Sequence, residues 1–317
     1  MEKLTVCCHI FREDLHPMLR HCAIIVLLSC LIQVVVFSEL KAVPLEKEPA
    51  PQVIRLGVIT LYHPLVMYKH YQPFVDFLNE TTPYDFELKI TQDYISITKL
   101  LCDGDIDVAL LGGVTYIEVK KTSCCLPLLA TLNADKKLVY QGIFIAREEN
   151  SAIRELQDIK GKRFAFACRH STSGNLAPLY HLYARKNIHL EDFTTYQNLR
   201  YHDSVAREVL RGNFDAGVVL NSVARKYQGK GIKIIGQTEP LPGFLLVVRP
   251  DLDPKLIQSL EERLLSLDYD KPEHKSMMDT WDVNIRFGFS KVVDSHYDPV
   301  RQMILYLEEQ GVYGGGE

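Results

Sequence analysis

The sequence predicts an α/β fold with mainly parallel sheets, on three observations. Short apolar runs alternate along the body with amphipathic stretches, the pattern of strands joined by helical crossovers. A helix–glycine–aspartate–strand unit occurs twice. The composition is that of an ordinary globular protein: 317 residues, 47% hydrophobic and 24% charged. That balance excludes collagen-like, disordered and disulfide-dense classes.

In chain order, residues 53–60 (VIRLGVIT), 86–90 (FELKI), 107–111 (DVALL), 162–167 (KRFAFA), 215–220 (DAGVVL), 232–236 (IKIIG) and 244–248 (FLLVV) read as strands. The segments between them read as helices. Residues 254–268 form an amphipathic helix, with Leu256, Leu260 and Leu264 on one face. The repeat aligns Tyr94, Gly104 and Asp107 with His202, Gly212 and Asp215. In each copy a polar ring stands ten residues before a glycine placed to end a helix, and an aspartate then opens a buried strand. Two similar lobes follow from this, each offering one helix N-terminus with a ring beside it.

Residues 22–37 (CAIIVLLSCLIQVVVF) carry no formal charge. The run is slightly long for a signal-peptide core and a little short of the ~20 apolar residues of a membrane span. A start at Met18 gives MLRH, the apolar run and a polar stretch from Ser38, a conventional signal peptide. Residues 1–42 are therefore expected to be a signal peptide or an N-terminal membrane anchor; a lipobox-like Leu27–Cys30 is the third form. All three export the body, and residues 43–53, with three prolines, read as a tether.

Lys plus Arg number 36 against 40 Asp plus Glu, a formal net charge of −4 with no dense basic run. Duplex nucleic acid is excluded as a partner on that ground. Of the eight cysteines, Cys102, Cys124, Cys125 and Cys168 lie in the body. Most are expected to be buried small hydrophobes, with a disulfide open to them and its connectivity unreadable from spacing.

The chemistry concentrates in residues 168–178, CRHSTSGNLAP, between a strong strand and a helical pattern. Three hydroxyl residues and a glycine at a strand-to-helix turn offer unpaired backbone N–H groups and rotatable O–H donors, suited to a tetrahedral oxyanion. Neither a Walker A loop nor a G-x-S-x-G elbow is present, so nucleotide hydrolysis and hydrolase chemistry are unsupported. Paired catalytic carboxylates and metal-spaced His/Cys clusters are likewise absent from the sequence, so no metal, cofactor or catalytic residue is expected.

S-T-S-G-x-L-x-P at 171–178, preceded by Y-x-x-I-x-x-L…G-x-I-D and followed by H-D-x-V…G-x-F-D-A, resembles the periplasmic phosphonate/phosphite/phosphate-binding proteins of ABC transporters. The likeness runs from about residue 54 to about 250, with a weaker tail in D-P-V-R at 298–301. It implies a two-lobed type II periplasmic-binding-protein fold with a ligand cleft between the lobes: 54–140 in the first lobe, 141–240 in the second, and 241–317 returning to the first with C-terminal helices. It also implies that Ser171, Thr172 and Ser173 cradle the anion, that Tyr94 and Tyr140 contact it, and that His202 reaches it from the second lobe. Gly113, Thr115, Ser222 and Phe244 are further candidates.

Two departures bear on the ligand. Where aminophosphonate-binding members carry acidic residues for an ammonium group, this chain has Asn221-Ser222 and Gly243-Phe244. An unpaired buried ammonium is costly, so the expected ligand is a small oxyanion without an amine: phosphite, phosphate or a simple phosphonate. His202 protonation is expected to strengthen binding at lower pH. The partner implied is an ABC transporter permease. A membrane-tethered sensing domain signalling in trans is the alternative, and an enzyme on the same scaffold the more distant one.

Overall fold

The computed structural model describes residues 53–313. The export segment 1–42 and the tether lie outside the described residues except for Val53, which belongs to the first strand rather than the tether. The chain runs β1 (Val53–Val58), α1 (Pro64–Thr81), β2 (Asp85–Ile90), α2 (Tyr94–Asp103), β3 (Val108–Leu111), α3 (Gly113–Lys121) and β4 (Leu126–Thr131). A two-residue strand β5 (Val139–Tyr140) leads into β6 (Gly142–Arg147) and β7 (Arg163–Phe166). A π-helical turn at Thr172–Leu176 enters α4 (Ala177–His181), followed by β8 (Thr195–Asn198), α5 (His202–Leu210), β9 (Ala216–Leu220), α6 (Asn221–Tyr227) and β10 (Ile232–Gln237). The return passes through β11 (Leu241–Pro242) to β12 (Leu245–Val248), α7 (Pro254–Leu265), α8 (Pro272–Met278), β13 (Phe289–Lys291) and α9 (Asp298–Glu309). None of the described helices is long and apolar enough to cross a membrane.

Two sheets organise these elements, in the orders β13-β4-β12-β3-β1-β2 and β10-β6-β9-β7-β8. Apart from the edge strand β13, the orders correspond position by position. β1 and β7 each pair in parallel with the two strands beside them. β12 and β6 run antiparallel to their neighbours. These reversed strands are the ones that enter a sheet straight from the connecting strands, without the crossover helix that parallel pairing requires. The connecting strands pair with each other, Leu241 opposite Tyr140 and Pro242 opposite Val139. A hinge of two antiparallel segments therefore joins the lobes.

The repeat extends to side chains. The Asp107 carboxylate accepts from the Arg55 backbone N–H at 2.8 Å and from Arg55 Nε at 3.0 Å, and Arg55 Nη2 donates to the Gly104 carbonyl at 2.7 Å. Asp215 does the same for Arg163, at 3.0 and 3.1 Å, with Nη2 donating to the Gly212 carbonyl at 2.8 Å. Each arginine–aspartate pair spans 52 positions. Gly104 and Gly212 both have φ +81°, which an L side chain adopts only at a cost. The aspartate thus ties the start of one parallel strand to the helix end before the next.

Six strands were not apparent in the sequence: β4, β5, β6, β8, β11 and β13. β4 contains Pro127, which argues against a strand; it is accommodated where the register against β12 shifts between Leu246 and Val247. β8 is an exposed edge strand, TYQN, without an apolar alternation. β6, GIFIAR, is buried along its length except at Arg147 and follows Tyr140 by one residue. Helix α7 forms as expected, burying Leu256, Leu260 and Leu264. Trp281 is buried against Phe74 and Phe77, with ring centroids 5.0 and 5.2 Å away.

Cys102, at the end of α2, and Cys124, just past α3, form a disulfide across 22 positions. This corrects the expectation that most body cysteines are unpaired hydrophobes; Cys125 is buried and Cys168 half-buried, both as free thiols. A loop of that length restricts the unfolded chain by about 3 kcal/mol. The bridge also ties together, at their far ends, the two helices whose N-termini face the cleft.

Candidate anion-binding site

The residues singled out in the sequence converge where the two sheets' helices meet. Ser171 caps the π-helical turn, its Oγ accepting from the Gly174 N–H at 3.1 Å. Gly174 must be small here: a Cβ would lie 2.4 Å from the Ala167 Cβ and 2.7 Å from His202 Cε1. His202 opens α5 and is 1% exposed. Its Nδ1 accepts from the Leu220 N–H at 3.0 Å, which places the ring proton on Nε2, and Nε2 donates to Ser171 Oγ at 3.2 Å. With both acceptor positions of Ser171 occupied, its own O–H must donate outward.

Thr172 follows the same logic with a donor from the other lobe. The Val114 N–H, at the start of α3, donates to Thr172 Oγ1 at 3.0 Å, leaving the Thr172 hydroxyl proton free to donate. Gly113 stands at the first position of α3, close to Thr172. The Thr115 hydroxyl closes its own helix cap, accepting from the Gly112 N–H at 3.1 Å and donating to the Gly112 carbonyl at 3.0 Å. Tyr94, at the first position of α2, lies beside Ser171, and Tyr140, in β5, lies beside Thr172 and Ser173. Burial pushes both phenols up, so both remain neutral donors. The result is a buried set of O–H groups oriented as donors by backbone amides, with helix N-termini directed at it.

Burial depresses the His202 pKa to about 3. This corrects the expectation of a protonated His202 in acid: Nδ1 is occupied by an amide proton, and the ring has no carboxylate to pair with. The sign follows from linkage: a base with a lowered folded-state pKa contributes stability above its unfolded value, near 6.5, and that contribution is lost as pH falls.

Several groups at the site gave no sequence signal. The His202 N–H donates to the Leu61 carbonyl at 3.3 Å, linking the lobes. Asn284 Nδ2 donates to the Tyr62 hydroxyl at 3.1 Å. Glu118, on α3, accepts from His170 Nδ1 at 3.1 Å, joining the first lobe to the second. The Glu118 hydrogen bond raises the His170 pKa, helped by Asp93 and opposed by burial and Arg169. Such a contact is fully present below the ordinary imidazole value and is lost as pH rises through the raised one. Ligand affinity is therefore expected to be about twofold to fivefold higher at pH 6 than at pH 8, the range for a partly exposed pair. Glu118→Gln should flatten that profile in titrations at the two pH values; an unchanged slope would rule out a part for the Glu118–His170 contact.

Next to the cradle, the hinge strands and the lobes enclose a cavity of about 200 Å³ lined by Tyr140, Gln141, Asn221, Ser222, Phe244 and Asn284, among others. Phe244 stacks on Tyr140 with centroids 4.6 Å apart.

Two α/β lobes, a two-segment hinge and a buried donor cluster between them define a cleft-type solute-binding protein. Residues 56–297 match the family described as "ABC transporter, phosphonate, periplasmic substrate-binding protein". The chain belongs to that family, a family of substrate-binding transport proteins located outside the cytoplasm. It is 24% identical to the phosphonates-binding periplasmic protein of Escherichia coli (strain K12), over 85% of this chain and 81% of that protein. It is also 24% identical to the phosphate-import protein PhnD of Mycolicibacterium smegmatis, over 68% of this chain and 71% of that one. The solved structure of PhnD1 from Prochlorococcus marinus (MIT 9301) in complex with methylphosphonate has the same fold, with a TM-score of 0.73 at 20% identity, covering 82% of this chain and 99% of that one.

Proposed function

We propose that this protein captures a small phosphorus oxyanion without an amine (phosphite, phosphate or a phosphonate) and presents its closed form to an ABC transporter permease. The observation that carries this reading is the polarity of the cradle. Leu220 N–H orients His202, His202 orients Ser171, and Val114 N–H orients Thr172, so the cluster offers donors to an anion without a Lys or Arg. Fixed dipoles of this kind hold an anion with little reorganisation. The relatives named above, one for phosphonates and one for phosphate import, support the ligand class.

The missing ammonium site is supported by the neutral Asn221, Ser222 and Phe244 facing the cavity beside the cradle. Export through the N-terminal apolar segment agrees with the Cys102–Cys124 disulfide, a bond that persists in oxidising compartments. Calorimetric titration of the purified protein with phosphite, phosphate, methylphosphonate, sulfate and 2-aminoethylphosphonate tests the reading. A phosphorus oxyanion lacking an amine should bind tightest. Sulfate or 2-aminoethylphosphonate at the head of the ranking would sink it.

A further inference from the structure

The last helix, α9, ties the two lobes together at a point away from the hinge. Its start belongs to the first lobe. The Tyr297 hydroxyl donates to the Gly243 carbonyl at 2.7 Å, and the Tyr297 ring stands edge-on to Tyr116 of α3 with centroids 4.9 Å apart. Val300 packs so closely on Gly113 that a Cβ there would lie 3.0 Å from its side chain. Gly243 directly follows β11, so this end of α9 sits at the hinge. The helix then runs 12 residues, about 18 Å, and its far end rests on the second lobe.

Two aromatic side chains make that contact. Tyr306 stands edge-on to Tyr180 of α4, with ring centroids 5.3 Å apart and planes at 80°. Past α9, Gly311 takes φ +70° and reverses the chain, and the Val312 and Tyr313 N–H groups both donate to the Leu307 carbonyl, at 3.0 and 3.3 Å. This glycine-closed helix end lays Val312 and Tyr313 against Phe166, Arg169, Leu179 and Tyr196 of the second lobe, around a cavity of about 120 Å³. The Tyr313 phenol lies near Glu118 of the first lobe and near Arg169 and Cys168 of the second, over the same seam as the Glu118–His170 contact. The seat on the second lobe is braced. Arg185 lies over the Tyr180 ring, 5.8 Å from its centroid, and its Nε donates to Glu239, on the segment between β10 and β11, at 3.1 Å. None of these side chains lines the cavity beside the cradle.

We propose that Tyr306 and Tyr313 are positioning residues for ligand capture: they strap the lobes in the closed arrangement and so raise affinity without touching the ligand. This rests on the binding reading above, whichever oxyanion fills the cradle. The two hinge strands leave the lobes able to reorient, and a contact between the lobes away from the hinge changes when they do. In the arrangement described, the strap accompanies a closed cleft: the Val114 N–H on Thr172 and the His202 N–H on the Leu61 carbonyl join the lobes at the donor cluster. A contact that stabilises only the closed form multiplies the closed population, and the apparent affinity rises by the same factor.

The test measures binding of methylphosphonate, phosphite and phosphate by calorimetry and rapid-mixing kinetics. It compares the wild type with Tyr306→Ala, Tyr313→Ala, the double alanine variant and the double variant Tyr306→Phe/Tyr313→Phe. Each alanine should weaken binding of the tightest anion by about threefold to tenfold, the worth of one aromatic edge contact. The double alanine variant should lose about tenfold or more. The loss should appear in the dissociation rate, with the ranking of the three anions unchanged. The phenylalanine variant keeps both rings and should bind within about twofold of the wild type. Alanine variants that bind like the wild type overturn the inference, and so do variants that bind more tightly, since the contact then holds the lobes apart. A loss carried by the association rate, or a changed ranking, overturns it as well. The oxyanion reading stands in all of these cases. If none of the three anions binds the wild type, that reading falls and the inference with it. The single variants decide the matter if the double alanine variant does not fold.

Discussion

Ser171→Ala is expected to weaken oxyanion binding by about a hundredfold. Removing the hydroxyl deletes one charge-assisted donor to the ligand. It also strands two buried N–H donors, His202 Nε2 and the Gly174 amide, which lie 3.2 and 3.1 Å from Ser171 Oγ. A hydrogen bond to a charged group contributes about 1.5–3 kcal/mol, and each stranded donor costs about 1–3 kcal/mol. Much of the second cost is shared by the free and bound states, so the loss in affinity is nearer 3 kcal/mol, or two decades. Ser171→Thr keeps the hydroxyl and should lose far less. Titration of both variants checks this; a loss under tenfold for Ser171→Ala would mean that the hydroxyl is only a helix cap.

Asp107→Ala is expected to destabilise the protein by about 3 kcal/mol or more, and Asp215→Ala by roughly half as much. Both carboxylates make the same bonds to an arginine and its backbone amide. They differ in burial: the Asp107 side chain is 2% exposed and that of Asp215 is 20% exposed. Removing one partner of a buried pair leaves an uncompensated charge, at about 3–5 kcal/mol, whereas solvent screens the exposed case. Arg249 Nη1 lies 3.5 Å from Asp107 as well, so the first-lobe variant removes a carboxylate that two guanidinium groups share. Urea unfolding of the two variants side by side provides the check, and equal losses would contradict the burial argument.

The proposed anion cradle stood out in the sequence because hydroxyl residues and a glycine clustered at a strand-to-helix turn have few other uses. The lobe repeat was legible because glycine and aspartate are required at fixed positions, by a positive φ and by an amide-capping carboxylate. His202 was readable as a neighbour of the hydroxyl cluster but not in its charge state. That is set by the Leu220 amide, 18 positions away, and by complete burial. The Glu118–His170 contact and the Cys102–Cys124 bridge left no local trace either, since each joins helices or turns that meet only after the chain has folded.

The sequence by itself determined the α/β class, the two-lobed plan and the family, and it marked the hydroxyl cluster proposed to hold the anion. Periodicity, turn residues and hydroxyl clusters act over a few residues and survive in the linear order. The tertiary structure alone decided which atoms donate, which lobe supplies each partner, and what lies beside the cradle. Proton positions on His202 and Ser171 and the cavity beside the hinge strands depend on contacts between distant segments. No spacing rule encodes such contacts, because hydrogen-bond direction and burial belong to the packed chain.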